Sequence, residues 1–368
     1  MHNRLHAAIV VLAVSMVAAG QVSCQEVGTE AWYDDVALNV FLSAGYSYNT
    51  NRPDSATNLF RVFDSKDNSF QIHVMELSLK KDPAIAPWST GFRADITAGS
   101  SIPRVSRSAG LESGDLDLQQ AFASFVAPIG SGMRFDVGKF VTPLGSEVIE
   151  GYDGYNDNGS RSFLFGYAIP FTHTGLRATY SFSAAFTGTL FAANGGDNAV
   201  DNNRGKSFGA QLGWTPVEGA TMLLGAVTGP EQPDNAADRR TVIDFVGTVA
   251  VLPELTLGLN ADVGAEERAA PGGGTAKWGG LAVYLRWHCC EPFSLSLRAE
   301  QFEDLDGART LQAQILRELT LTPEVRLGDH LLIRSDLRVD KSTMPVFQKG
   351  GDWSDMQSTV SLSMLFVY

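Results

Sequence analysis

Apolar and polar residues alternate one by one through segment after segment of this chain, and that period of two constrains the fold more than any other feature. Residues 37–48 set Leu38, Val40, Leu42, Ala44 and Tyr46 against Asn39, Ser43 and Ser47. In an extended strand the two sets face opposite sides, so one face is greasy and the other wet. The same pattern recurs at 88–99, 176–182, 207–214, 255–263, 293–300 and 331–340, where Arg334, Asp336, Arg338 and Asp340 make the polar file charged at every step. Three places lose phase. Residues 70–79 shift between Val74 and Leu77, 115–126 are poorly phased, and Arg317 falls among the apolar positions of its strand. One inserted residue would restore the facing in 70–79 and around Arg317, as a β-bulge does, or Arg317 could instead snorkel toward headgroups. Residues 115–126 are placed as a strand by their position.

Connections alternate in length as regularly as side chains alternate in polarity. Short ones at 82–87, 128–132, 183, 215–219, 252–254, 289–292 and 328–330 take turns with long polar ones. The long ones lie at 49–67, 100–114, 142–170, 195–204, 229–240, 265–275, 303–308 and 341–354. Short turns on one rim and long loops on the other mark a transmembrane antiparallel up-and-down β-barrel, all-β, here of about sixteen strands. A soluble β-sandwich also alternates. Its wet face, however, would be studded with lysine and glutamate, whereas these strands carry serine, threonine, glycine and scattered Arg/Asp pairs. Segments of about ten residues suit a tilted membrane strand better than the usual five or six. In lipid every backbone group must be paired, so the sheet has to close.

The start of the chain reads as a secretory signal peptide over 1–24. It has a basic beginning, an apolar run from Leu5 to Ala19 and small residues at Ala18, Ala19 and Gly20. A short lead-in at 25–36 then precedes a single barrel domain at 37–368, with the loop 142–170 folding inward. No second long apolar run follows, which excludes a helical membrane protein. Acids (41) outnumber Lys and Arg (28), which excludes a nucleic-acid partner, since phosphate binding needs a basic footprint. Cys289 and Cys290 are adjacent, and neighbouring Cα atoms, about 3.8 Å apart, fall short of a disulfide's usual span of about 4.4 Å or more. The pair reads as two thiols in a turn, without the spaced ligands of a metal site. No cofactor is called for. Residues 142–170 lack both strand and helix periods, and a structureless connection of that length is functional or disordered.

Three stretches carry a family likeness: DVGKFVTPLGSE at 136–147, RSFLFGYAIPFTHT at 161–174, and LLIRSDLRVD at 331–340 followed by the last strand. On these the chain resembles the putative β-barrel porin-2, or OmpL-like, family across nearly its whole mature length. The resemblance implies a porin-type channel of the bacterial outer membrane, usually without an assigned substrate. The polar file and the central loop point to passive diffusion of small hydrophilic solutes or ions through a barrel in contact with outer-membrane lipid and able to form a homo-oligomer. The alternative is a closed or plugged barrel with a structural or surface-binding role. The layout is also similar to that of general porins, whose loop after the fifth strand narrows the lumen. Carried over by position, the loop brings Glu147, Glu150, Asp153, Asp157 and Arg161 to the pore. Facing them stand Arg93, Arg134, Arg177, Arg298, Arg334 and Arg338, with Asp95, Asp136, Glu300 and Asp336 interspersed. Acids opposite arginines would set a transverse field, although each inward charge is equally placed to be a cross-strand partner in the wall. Leu362, Met364, Phe366 and the terminal Tyr368 resemble the C-terminal signal read by the barrel-assembly machinery, with tyrosine where phenylalanine is commoner. His173 lies near several serines, yet without a base and an orienting partner in sequence this is not a nucleophile system.

Overall fold

The computed structural model describes residues 35–101 and 116–368, of which Ala37–Tyr368 forms a compact unit. The segment read as a signal peptide, most of the lead-in and part of the second long loop lie outside the described residues.

Sixteen antiparallel strands close into a barrel. The first five are β1 (Ala37–Asn49), β2 (Ser69–Lys81), β3 (Thr90–Ala98), β4 (Leu116–Ala127) and β5 (Met133–Val141). After the loop at 142–171 come β6 (Thr172–Ser181), β7 (Phe186–Ala193), β8 (Ser207–Trp214), β9 (Ala220–Pro230) and β10 (Arg239–Leu252). The wall continues with β11 (Leu255–Glu266), β12 (Ala276–Cys290), β13 (Phe293–Asp304), β14 (Gln314–Leu327) and β15 (Leu331–Ser342). The last long loop holds a small hairpin, β16 (Phe347–Lys349) with β17 (Asp352–Ser354), before the closing strand β18 (Met356–Val367). The hairpin is absent from the sequence reading, because three-residue strands are too short to show a period of two.

Closure follows from pairing β1 with both β2 and β18, in register from Phe41↔Val367 to Asn49↔Thr359. Val40 and Tyr368 add two further backbone hydrogen bonds of 2.7 and 2.9 Å at the seam. An open edge in lipid would leave N–H and C=O groups unsatisfied at several kcal/mol each, on the order of the water-to-hydrocarbon penalty.

The faces are those the alternation dictates. Phe70, Ile72, Leu190, Leu224, Val263 and Leu281 are exposed on the outside, while Ser43, Ser47, Asp95, Thr97, Asp136 and Thr320 are buried within. Both out-of-phase strands contain a bulge. Ser43 pairs with Val74 and Ala44 with Ile72, leaving His73 extra. Asp95 pairs with Gln120 and Ile96 with Leu118, leaving Gln119 extra. Each insertion turns the next residues over, so Ile72 and Met75 both reach the outside. Arg317 does face outward, near the long-loop end of β14.

Candidate functional site

Residues 142–171 lie within the wall and meet the inward side chains of strands around it. At the near end Asp244 accepts from the Gly145 amide (3.1 Å) and Asn260 from that of Ser146 (3.3 Å). Further along, Glu76 accepts from the Tyr152 amide (2.6 Å), and Asp336 from those of Gly159 (3.0 Å) and Ser160 (2.6 Å). Glu300 takes the amides of Phe163 (2.7 Å) and Leu164 (2.5 Å). These are obligatory contacts. A coil segment has no ladder of its own, and backbone groups taken out of water must find partners elsewhere. The inward carboxylates of β2, β10, β13 and β15 supply the acceptors.

The loop's own charges pair directly with wall bases. Glu147 meets Arg298 (2.5 Å), Glu150 meets Arg334 (2.6 Å) and Asp157 meets Arg286 (2.7 Å). Asp153 is shared by Lys80 (2.7 Å) and Arg93. Arg161 turns back on Glu150 (3.3 Å), and its carbonyl accepts from Arg338 (2.5 Å). Loop acids and wall arginines therefore touch, instead of facing each other across water as the sequence suggested. Packing the loop on the wall excludes the solvent between them, and a charge buried that way must be paired. Burial pushes the Glu150 carboxyl up, but Arg161 and Arg334 more than reverse this and hold it below the ordinary carboxylate range.

From Glu147 an alternating chain of charge runs through Arg298, Glu318, Arg338 and Asp340 to Arg61 of the first long loop. Arg61 and Glu318 were not among the sequence-derived candidates. Nothing in a loop arginine's neighbourhood announces that it will be buried against Asp340 on a strand near the other end of the chain.

The remaining wall candidates form a separate group. Asp136 holds both Arg134 (2.8 Å) and Arg177 (2.7 Å), and Asp95 holds Arg93 (2.7 Å). The Arg177 guanidinium lies over the rings of Phe140 (4.6 Å) and Phe122 (5.5 Å). Lys139 follows Gly138 at φ 140° and is held by Asp117 and the Leu118 carbonyl (2.8 Å).

An apolar cluster fixes the second half of the loop. Phe163, Leu164, Phe165, Ala168, Ile169 and Phe171 are buried together with Phe63 from the first long loop, Phe347 from β16, and wall residues including Phe140, Phe191, Trp278 and Phe302. Phe63, Phe165 and Phe171 sit at ring centroid separations of 5.4 to 5.8 Å. Trp278 donates to the Ala168 carbonyl (3.0 Å) across a single π-helical turn at Leu164–Ala168. Sequence reasoning weighed this loop for its acids and passed over its aromatics. Their density in a segment without strand or helix period was the available signal.

Docked in this way, the loop runs between two cavities, each lined in part by charged side chains. One, of ≈ 440 Å³, lies against β2–β6 and is lined by Lys80, Arg93, Arg134, Asp136, Asp153 and Arg177 among others. The second, of ≈ 240 Å³, lies against β10–β12 beside Asp157, Thr248, Thr256 and Arg286. The other candidates sit elsewhere. Leu362, Met364, Phe366 and Tyr368 are exposed on the outer face of β18 and at its end. Cys289 and Cys290 are free, exposed thiols by the β12–β13 turn. The His173 ring contacts Thr142 (3.2 Å) and the Gly195 carbonyl (3.1 Å), not a serine.

Comparison with known proteins agrees with this architecture. The sequence profile of the putative β-barrel porin-2, OmpL-like family matches residues 35–368. No curated protein sequence matches the chain. Among solved structures it is similar to the outer-membrane channel DcaP of Acinetobacter baumannii, with TM-score 0.61, 10% identity, and 90% of this chain and 97% of that one covered. It is equally similar to an anion-selective porin from Comamonas acidovorans, with TM-score 0.61, 12% identity, and coverage of 90% and 99%. A trimer form of OmpT from Vibrio cholerae gives TM-score 0.59, 10% identity, and coverage of 90% and 99%. At such identities the likeness concerns the fold alone.

Proposed function

The chain belongs to the putative β-barrel porin-2, OmpL-like family, and from that premise we propose that its outer-membrane diffusion channel passes small hydrophilic solutes and ions beside the docked loop, along the cavity against β2–β6. One observation carries the reading. In that cavity Lys80, Arg93, Arg134 and Arg177 expose 16–33% of their side chains, while the carboxylates behind them, Asp95 and Asp136, expose 0% and 2%. A solute there meets cationic donors held in place by buried acids, with Asp82 and Asp153 as the water-facing carboxylates. These charged groups lower the cost of shedding hydration for a small polar solute, and Phe122, Phe165 and Phe171 complete the lining.

The protein is a channel and performs no catalysis. Its outer-face residues Leu362, Met364, Phe366 and Tyr368 serve recognition by the assembly machinery, and the trimer described for OmpT supports a homo-oligomer here as well. The test is conductance in planar bilayers. Purified protein gives stable, unitary steps, and Arg177→Gln changes the ratio of anion to cation permeability read from the reversal potential. A barrel that inserts without conducting defeats the proposal.

A further inference from the structure

On the outer surface the strand register places two cations side by side. Arg317 of β14 pairs with Lys341 of β15, and both side chains are exposed on the membrane-facing side. Like charges directly opposite each other destabilise a sheet. Among the described residues neither has a carboxylate partner. Arg317 donates only to the Gln301 amide oxygen (2.7 Å), and Gln301 in turn donates to Glu303 (2.7 Å), which keeps that acid one residue away. Both cations lie three or fewer residues from the long-loop ends of their strands, Gln314 and Ser342. In an outer-membrane barrel that rim meets the outer leaflet.

One register step deeper, Val283, Ala299, Leu319 and Val339 form an apolar row across β12–β15. Three of these, with Arg317, Leu281 and Val263, line an outward-facing groove of ≈ 1550 Å³, whose rim also carries Lys277, Glu303 and Asp306. Of the glycines there, Gly279 faces outward beside Val263 and adds no side chain to that wall, while Gly264 and Gly280 face the lumen against Trp278 and Leu164. A concavity in a lipid-facing surface has to be filled by hydrocarbon, since water in it would cost the full apolar transfer energy. Arg317 borders this groove and Lys341 stands beside it on the next strand, so two cations at the headgroup level adjoin an apolar concavity.

We propose that Arg317 and Lys341 bind a phosphate of a phosphorylated outer-leaflet glycolipid whose acyl chain lies in the groove beside them. The anion relieves the repulsion across the β14–β15 ladder, and the chain fills the groove. This site is on the opposite face of the wall from the channel and stands independently of the solute path.

The experiment is native mass spectrometry of the full barrel released from neutral detergent, titrated with diphosphoryl lipid A, with dephosphorylated lipid A and with inorganic phosphate. The expected result is one diphosphoryl lipid per chain, with affinity falling about thirty-fold in R317Q/K341Q, as expected when two cations leave an anionic lipid surface. Dephosphorylated lipid should bind wild type as weakly as the phosphorylated lipid binds the variant, and millimolar phosphate should not displace the lipid. The loop variant Lys349→Gln should bind normally, and conductance of R317Q/K341Q should be that of wild type. Equal binding by wild type and R317Q/K341Q, indifference to the lipid's phosphates, or full displacement by free phosphate would each overturn the proposal. So would a face covered by a second chain that admits no lipid.

Discussion

Replacing Glu150 by glutamine tests whether the loop is held by its buried ion pairs. Glu150 is 4% exposed and contacts Arg334 at 2.6 Å and Arg161 at 3.3 Å, both of them also buried. Removing one partner of a buried pair costs about 3 to 5 kcal/mol, because the other charge is left uncompensated. The low end, about 3 kcal/mol, applies here, since Arg334 keeps the Asn156 carbonyl and Arg161 keeps those of Val148 and Gly159. That is roughly a hundredfold in the loop's docked-to-undocked ratio. The sixteen-strand ladder does not depend on the pair, so the barrel should keep its resistance to unfolding in detergent while the loop loosens. Single-channel recording of E150Q should show added open-state noise and occasional larger steps. The double variant E150Q/R334Q, which leaves only Arg161 without its carboxylate, should regain part of the quiet trace. Wild-type noise in E150Q, or a double variant noisier than the single, would refute the reasoning.

Acid should do to the wild type what the substitution does. Glu150 has a folded pKa below its unfolded value, so its contribution is complete above about pH 4.3 and is lost as pH falls through the lower folded value; noise should therefore rise only in strong acid, and E150Q should lack that step. Phe165→Ala removes a ring buried between Phe63 and Phe171 at about 3 to 5 kcal/mol, and liposome-swelling assays should show faster entry of larger sugars. At Gly138, φ is 140° and an added Cβ would sit 2.1 Å from the Ala121 carbonyl oxygen, so Gly138→Ala should lower the yield of heat-modifiable folded barrel on gels. Cys289 and Cys290 are exposed by a short turn, so an impermeant maleimide should label them from the short-turn side of oriented vesicles and from no other.

Much of the wall was legible in the linear pattern. The alternation in 37–48, 255–263 and 331–340 gave the inward and outward faces of β1, β11 and β15. The order of short and long connections gave the strand number, closure and the position of the loop after β5. These are local properties, because a strand's facing has a period of two wherever it lies, and lipid forbids an open edge. The loss of phase in 70–79 and 115–126 was visible, although the pattern put the first slip between Val74 and Leu77 while the extra residue is His73, and Gln119 did not stand out.

What the loop touches was decided by the tertiary structure alone. Glu147, Glu150, Asp153 and Asp157 could be named as acids of the loop, but their partnership with Arg298, Arg334, Arg93 and Arg286 depends on how a segment without regular structure lies across a closed wall. The aromatic cluster around Phe165 likewise joins residues from loops far apart in the chain. Such contacts have no repeat to read, since they arise only once closure has brought distant strands around one lumen. The sequence by itself determined a sealed cylinder with a wet interior, and three-dimensional packing decided how that interior is divided.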